Sequence, residues 1–216
     1  MVQDDVFHYI WVTSWKDLFA FRITKEGHLE QVDTSSFLTP GNKILYEIYK
    51  DKDGKLWVSA FDVESFIIDI RDYIVQKYPL PDLRNQLKAN PAINSLCKDE
   101  DGIFWFSQDR YGLCIYDSRK EKLKHYSQCQ GTRNLPFGDV TNIARSYNHN
   151  WIWATSYGPT VFGLSQQNME MKEDVRIELG NVTNNPGLIT SLFEDPQNNL
   201  WIGTTTGLFV YRIMSA

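Results

Sequence analysis

The sequence predicts an all-β protein built of β-propeller blades. Three observations carry that prediction: five tryptophans at near-constant spacing, an apolar triplet around each, and a turn signal just before most of them. Trp11, Trp57, Trp105, Trp153 and Trp201 are separated by 46, 48, 48 and 48 residues. A fixed period of this length is the mark of a repeat architecture in which each unit is one supersecondary motif. The residue before each Trp is apolar (Ile10, Leu56, Phe104, Ile152, Leu200), and so is the residue after it (Val12, Val58, Phe106, Ala154, Ile202). Three consecutive apolar positions describe a short strand buried on both faces.

The elements of a repeat follow in order. A first strand reads ILYEIYK, INSLCKD, VTNIARS or ITSLFED. A tight turn then leads into the Trp strand as DKDGKLW, DEDGIFW or DPQNNLW. Gly54, Gly102, Asn150 and Asn198 stand three residues before the Trp, and these residue types best tolerate a positive φ. The fourth repeat, SYNHNWIW, carries one extra residue here. After the Trp strand comes a third strand (LFAFRIT, FIIDIRD, GLCIYDS, TVFGLS, GLFVYRI), then a weaker fourth such as EKLKHYS or DVRIEL. Four short antiparallel strands per repeat describe a propeller blade. Helical repeats of similar period are excluded by the shortness of the runs, their aromatic content and the Asp-Gly turns. LPDLRNQLKAN, near residues 80–90, is the one helix-like stretch and predicts a turn or two within a loop.

One domain over 1–216 is therefore expected, with blades near 1–42, 43–91, 92–139, 140–187 and 188–216. Repeat one is expected to begin at its Trp strand, and repeat five to stop after its third. That pattern predicts an incomplete propeller, completed by further blades of a longer chain or by a second copy, since uncovered blade faces and edges invite association.

Composition narrows the function. The chain is 42% hydrophobic and 14% aromatic with 8 Pro, which suits sheet. Its net charge of −5 and lack of a basic run argue against nucleic-acid binding. No run approaches the ~18 apolar residues of a membrane span, so no membrane contact by this segment is expected. The start, MVQDDVFHYIW, lacks the regions of a signal peptide. Cys97, Cys114 and Cys129 fit neither a disulfide framework nor a zinc site. His8, His28, His125 and His149 share no spacing, and DKDG at 51–54 lacks the order of a calcium loop. No metal and no cofactor are expected. Asn181-Val182-Thr183 matches a glycosylation sequon, a pattern too short to carry weight.

The fifth repeat, ITSLFEDPQNNLWIGTTTGLFVYR, resembles the two-component regulator propeller repeat, built on ED-x-x-G-N-L-W-I-G-T-x-x-G-L-x-x-Y. Glu194, Asp195, Asn199, Leu200, Trp201, Ile202, Gly203, Thr204, Gly207, Leu208 and Tyr211 match, while Asn198 stands at the turn Gly. Repeat three matches through Asp99, Gly102, Trp105, Gly112, Leu113 and Tyr116. The resemblance implies the ligand-sensing, periplasmic part of a membrane-anchored hybrid two-component receptor, of the kind best known for sensing glycans. The chain itself shows no kinase motif.

Strand parity places the short Asp-Gly turns on one face and the long segments PLPDLRNQLKANP, QCQGTRNLPFGD and ELGNVTNNPG on the other, with the loops at 14–17, 108–112 and 156–159. Long loops on a rigid scaffold are where binding concentrates. An oligosaccharide or glycan-fragment site is expected there, using Trp15, Arg110, Tyr111 and Tyr157, with Arg84 and Arg133 nearby. Flat rings stack on sugar faces, and Arg bonds hydroxyls or acidic groups. The repeat tryptophans are assigned to the core instead. A protein-binding scaffold is the alternative function. Catalysis is not expected, because the acids Asp51, Asp53, Asp99, Asp101 and Asp195 are turn residues, and Asp109, Asp139 and Glu178 share no motif.

Overall fold

Each repeat does fold around the hairpin that enters its Trp strand. The computed structural model describes residues 1–14, 17–35, 45–51, 53–60, 64–69, 74–79, 93–99, 101–108, 112–117, 119–126, 140–148 and 150–214. The helix-like stretch near 80–90 and Cys129 lie outside them. The chain forms two compact units, Met1–Leu96 and Cys97–Ala216.

In the first unit, β1 (Val2–Gln3), β2 (Ile10–Thr13), β3 (Leu18–Ile23) and β4 (Leu29–Val32) form one antiparallel meander. The strands β5 (Leu45–Lys50), β6 (Leu56–Ala60), β7 (Glu64–Asp69) and β8 (Ile74–Pro79) form the next. The third sheet is β9 (Ile93–Lys98), at the boundary of the two units, and β10 (Phe104–Gln108), β11 (Gly112–Asp117) and β12 (Lys122–Tyr126), which belong to the second.

In the second unit, the fourth sheet is β13 (Asn142–Arg145), β14 (Ile152–Thr155), β15 (Thr160–Gln167) and β16 (Glu170–Glu178). A 3-10 helix, Leu179–Asn181, leads to the three strands β17 (Ile189–Glu194), β18 (Asn199–Thr204) and β19 (Gly207–Arg212). Every sheet follows the chain strand by strand, as propeller blades do. The fold is all-β, as expected.

Repeat one differs from its expected form. It does possess a strand before the Trp strand: Val2 pairs with Trp11 and Gln3 with Ile10. Two residues are too few to display a period, so the sequence could not reveal it. What fixes this strand is Asp4, whose carboxylate accepts the backbone N–H groups of Val6, Phe7, His8 and Tyr9 and the Trp11 Nε1. His8 sits at φ 58 in the left-handed region, at the position filled by Gly54, Gly102 and Asn198 in other repeats (φ 80, 79 and 64).

Period-2 alternation explains why the apolar triplet is needed. In one cluster, Trp11, Leu18 and Ala20 from one face of blade one meet Leu45, Ile48, Leu56, Val58 and Ile68 of blade two. In another, Trp153, Val161 and Ile177 of blade four meet Ile189, Leu200 and Ile202 of blade five. In both clusters the Trp side of the earlier blade, its front, packs on the next blade's back, formed by the residues that flank the following Trp. Each buried Trp removes roughly 200 Å² from water, worth about 5 kcal/mol before ordering costs. Gly163, directly opposite Trp153 in the ladder, leaves room for the indole. Trp11, Trp57, Trp105 and Trp153 are at most 4% exposed, whereas Trp201 is 37% exposed and departs from the expected core position.

Candidate functional site

The short-turn face is organised by one carboxylate per blade. Asp51 Oδ1 accepts the N–H groups of Asp53 and Lys55, while its Oδ2 accepts Trp57 Nε1 at 2.8 Å. Asp99 does the same with Ile103 N–H and Trp105 Nε1, each at 2.8 Å. Asp195 holds the N–H groups of Gln197 and Asn199 and the Trp201 Nε1 at 2.9 Å. These bonds, led by that from Trp201, pull the Asp195 carboxyl down to about 2. The turn acids thus lock the hairpin to its indole.

Blade four breaks the pattern. Its turn carries Ser146 where the others carry Asp, so Trp153 lacks a carboxylate of its own. Glu194, at the end of β17 in the following blade, fills the gap. Its Oε2 accepts Trp153 Nε1 at 2.6 Å and Ser146 Oγ at 2.7 Å, and its Oε1 accepts Asn148 N–H at 3.2 Å. Glu194 is 3% exposed. Lys50 occupies the same place in blade two, one residue before the turn Asp, and also reaches back one blade: its Nζ lies 2.7 Å from Asp5 Oδ1. Sequence reasoning counted Glu194 only as a match to the family pattern and did not single out Lys50. The available signal was the serine standing alone among turn acids.

A further carboxylate lies in the first unit. Glu47 on β5 accepts Leu96 N–H at 2.9 Å, and its own N–H donates to Ser59 Oγ. Burial pushes its carboxyl up to about 7 against the opposing hydrogen bonds from Ser95 and Leu96. Ser107, fully buried at the Trp-strand position of Ser59, has no hydrogen-bond partner for its hydroxyl among the described residues.

On the long-loop face, Tyr157 is the expected site residue that the structure places. Its ring stands 60% exposed in the turn between β14 and β15. That turn is tied to the inter-blade segment by Leu179 N–H donating to Pro159 O at 2.9 Å, and by Thr160 Oγ1 donating to Glu178 at 2.7 Å. The segment then docks on the β18–β19 turn. Thr205 N–H donates to Leu188 O, Leu188 N–H donates to Thr205 Oγ1, and Thr206 Oγ1 donates to Pro186 O at 2.8 Å. An exposed phenol ring thus stands on a braced turn beside a segment rich in Asn and Thr. Such a surface can stack on a sugar and bond its hydroxyls. Trp15, Arg84, Arg110, Tyr111 and Arg133 lie outside the described residues, as do Asp109 and Asp139. Among the described residues no cluster of His, Cys, Asp and Glu could hold a metal ion. No helix among them is long and apolar enough to cross a membrane. Cys97 and Cys114 are buried, and burial raises the Cys114 thiol pKa.

The family model described as Two component regulator propeller matches residues 185–206, a span that holds Glu194, Asp195 and Trp201. No curated protein matches the chain. Among solved structures, the chain is similar to the extracellular domain of a putative hybrid two component system from B. thetaiotaomicron. The identity is 20% and the TM-score 0.63, over 96% of this chain and 26% of that one. A second such extracellular domain from B. thetaiotaomicron matches at 19% identity and TM-score 0.60, over 97% of this chain and 28% of that one. A catalytically inactive virginiamycin B lyase from Staphylococcus aureus, solved with quinupristin, matches at 14% identity and TM-score 0.61, over 100% of this chain and 69% of that one. The chain spans about a quarter of the length of the two-component proteins it resembles. At these identities the likeness shows the propeller fold.

Proposed function

We propose that this chain is the ligand-sensing propeller portion of a membrane-anchored two-component sensor, lying in the periplasm and recognising an oligosaccharide or glycan fragment. The observation that carries the reading is the match of residues 185–206 to the Two component regulator propeller. The likeness to extracellular domains of hybrid two component systems supports the same assignment. The ligand class rests on chemistry: an exposed Tyr157 ring on a braced turn, beside the Asn- and Thr-rich segment. Trp15, Arg110 and Tyr111, with Arg84 and Arg133, join the proposal on the chemistry of their side chains in the sequence.

The test is a thermal-shift screen of the purified chain against neutral and acidic glycan fragments, followed by calorimetry on each hit. Ligand that binds only the folded state raises the melting temperature. A shift that is lost in Tyr157→Ala and in Tyr111→Ala supports the reading. No shift across the panel from a folded protein removes the glycan assignment. A shift that both variants retain removes this face.

A further inference from the structure

The surface that carries Tyr157 holds no charge of its own. The turn at 156–159, the segment at 179–188 and the turn at 204–206 contain no Lys, Arg, His, Asp or Glu. Among the side chains they expose are Tyr157, Asn181, Val182, Asn184, Asn185 and Thr206. Amides and hydroxyls both donate and accept, which matches the hydroxyls of a sugar and gives no preference for a charged group.

One carboxylate stands at the root of this surface. Glu178 is the ladder partner of Thr160, at the end of the Tyr157 turn. Its Oε2 accepts Thr160 Oγ1 at 2.7 Å, and its Oε1 lies 3.7 Å from Arg176 Nη1. The Glu178 side chain is still 40% exposed, so its negative charge is felt at the surface. Arg176 is committed elsewhere. Its Nε and Nη2 donate to the two oxygens of Glu173 at 2.9 and 3.0 Å, and its guanidinium lies 5.0 Å over the Phe162 ring.

The other described cations of the second unit gather at the opposite ends of its strands or are paired. Lys98, Arg145 and Arg212 close β9, β13 and β19 on the short-turn side, and Arg119, Lys120 and Lys122 cluster at the β11–β12 turn on that same side. Lys124 and Lys172 are paired with Glu170 and Asp174. Within the glycan-sensing role proposed above, on which this inference rests, we propose that the Tyr157 surface takes a neutral saccharide and discriminates against uronate and sulfated ones. A neutral sugar stacks its apolar face on the ring and bonds its hydroxyls to the Asn amides. An anionic sugar depends on charge-assisted bonds from Arg or Lys. Here it loses water without gaining such a bond, and it meets the like charge of Glu178.

The test is calorimetry on the full 216-residue chain with matched pairs of fragments. Neutral gluco-, galacto- and xylo-oligosaccharides are set against glucuronate, galacturonate and sulfated fragments of the same length. The expected result is binding of a neutral fragment about tenfold or more tighter than its acidic partner, lost in Tyr157→Ala. Two further variants read the charge itself. Glu178→Gln keeps an acceptor for Thr160 and should narrow the gap about threefold, through the acidic partner. Val182→Lys, at a position 71% exposed, supplies a cation and should tighten the acidic partner by a similar factor. Near-ultraviolet circular dichroism establishes that each variant is folded. An acidic fragment that binds as tightly as its neutral partner, or more tightly, overturns the inference. If that affinity falls with salt and is lost in Arg110→Ala, the sensing role survives with an acidic ligand. A neutral preference that Tyr157→Ala retains, or a gap that neither charge variant alters, also overturns it. Binding of no fragment, neutral or acidic, removes the inference and the glycan assignment together.

Discussion

The indole Nε1 of Trp153 donates to the carboxylate of Glu194 at 2.6 Å, so the tryptophan of one blade is held by an acid of the next. Elsewhere the acid comes from the same hairpin, as with Asp99 and Trp105. The same Glu194 also accepts Ser146 Oγ and Asn148 N–H. Removing one buried acceptor leaves several donors without a partner, each at a cost of about 1–3 kcal/mol. Glu194→Ala is therefore expected to lower unfolding stability by about 3 kcal/mol or more, read from urea denaturation. Adding Ser146→Asp restores a hairpin acid, in the spacing that Asp4 and Trp11 already use, and should recover part of the loss. No recovery would mean that Glu194 acts through packing and not as the missing acceptor.

Gly163 fills a position where a side chain has no room. A Cβ there would lie 3.0 Å from Val175 Cβ and 3.3 Å from Trp153 Cζ3. Gly163→Val must displace the indole or the β16 backbone. A loss of about 1–3 kcal/mol is expected from overpacking, with Gly163→Ala costing less. Blue-edge tryptophan fluorescence reports whether Trp153 moves.

Glu47 predicts a pH dependence with a definite sign. Its folded carboxyl, pushed up by burial, holds a proton to about 7, while the unfolded group releases it near 4.5. Between those values the native state binds more protons, so stability falls as pH rises. The contribution is fully present below 4.5 and lost above 7. Glu47→Gln removes this term, and the stability difference between pH 5 and pH 8 should shrink by about 2 kcal/mol relative to the unaltered chain. Parallel curves for the two proteins would show that Glu47 is solvated in solution.

Tyr157 supplies the opposite kind of expectation. Its ring is exposed, and Tyr157→Ala should change stability by no more than ~0.5 kcal/mol. Thermal denaturation checks this. A larger loss would identify the ring as a packing element of its turn and weaken its use as a ligand platform.

The repeat made most of the fold legible from residues alone. Trp spacing, the apolar triplet and the turn signal all reflect a single ladder geometry and recur along the chain. The strand β1 escaped because it is two residues long and depends on Asp4, a residue whose bonds are invisible to periodicity. The exposure of Trp201 escaped for a different reason: a Trp is buried by the sheet that follows it, not by its own. The cross-blade role of Glu194 was illegible because donor and acceptor belong to different repeats. Of the expected site, Tyr157 is placed on an open turn, while Trp15, Arg84, Arg110, Tyr111 and Arg133 fall outside the described residues.

The residue just before the turn acid has a consequence for how such a chain can diversify. In blade two it is Lys50, which suits an acid on its predecessor, and in blade five it is Glu194, which suits a predecessor stripped of its own acid. Transplanting blade five behind blade one would set Glu194 against Asp5, two like charges, while placing blade two behind blade four would strand the Trp153 indole. This one position therefore constrains which blade can follow which: exchanging blades two and five would require a compensating change at it.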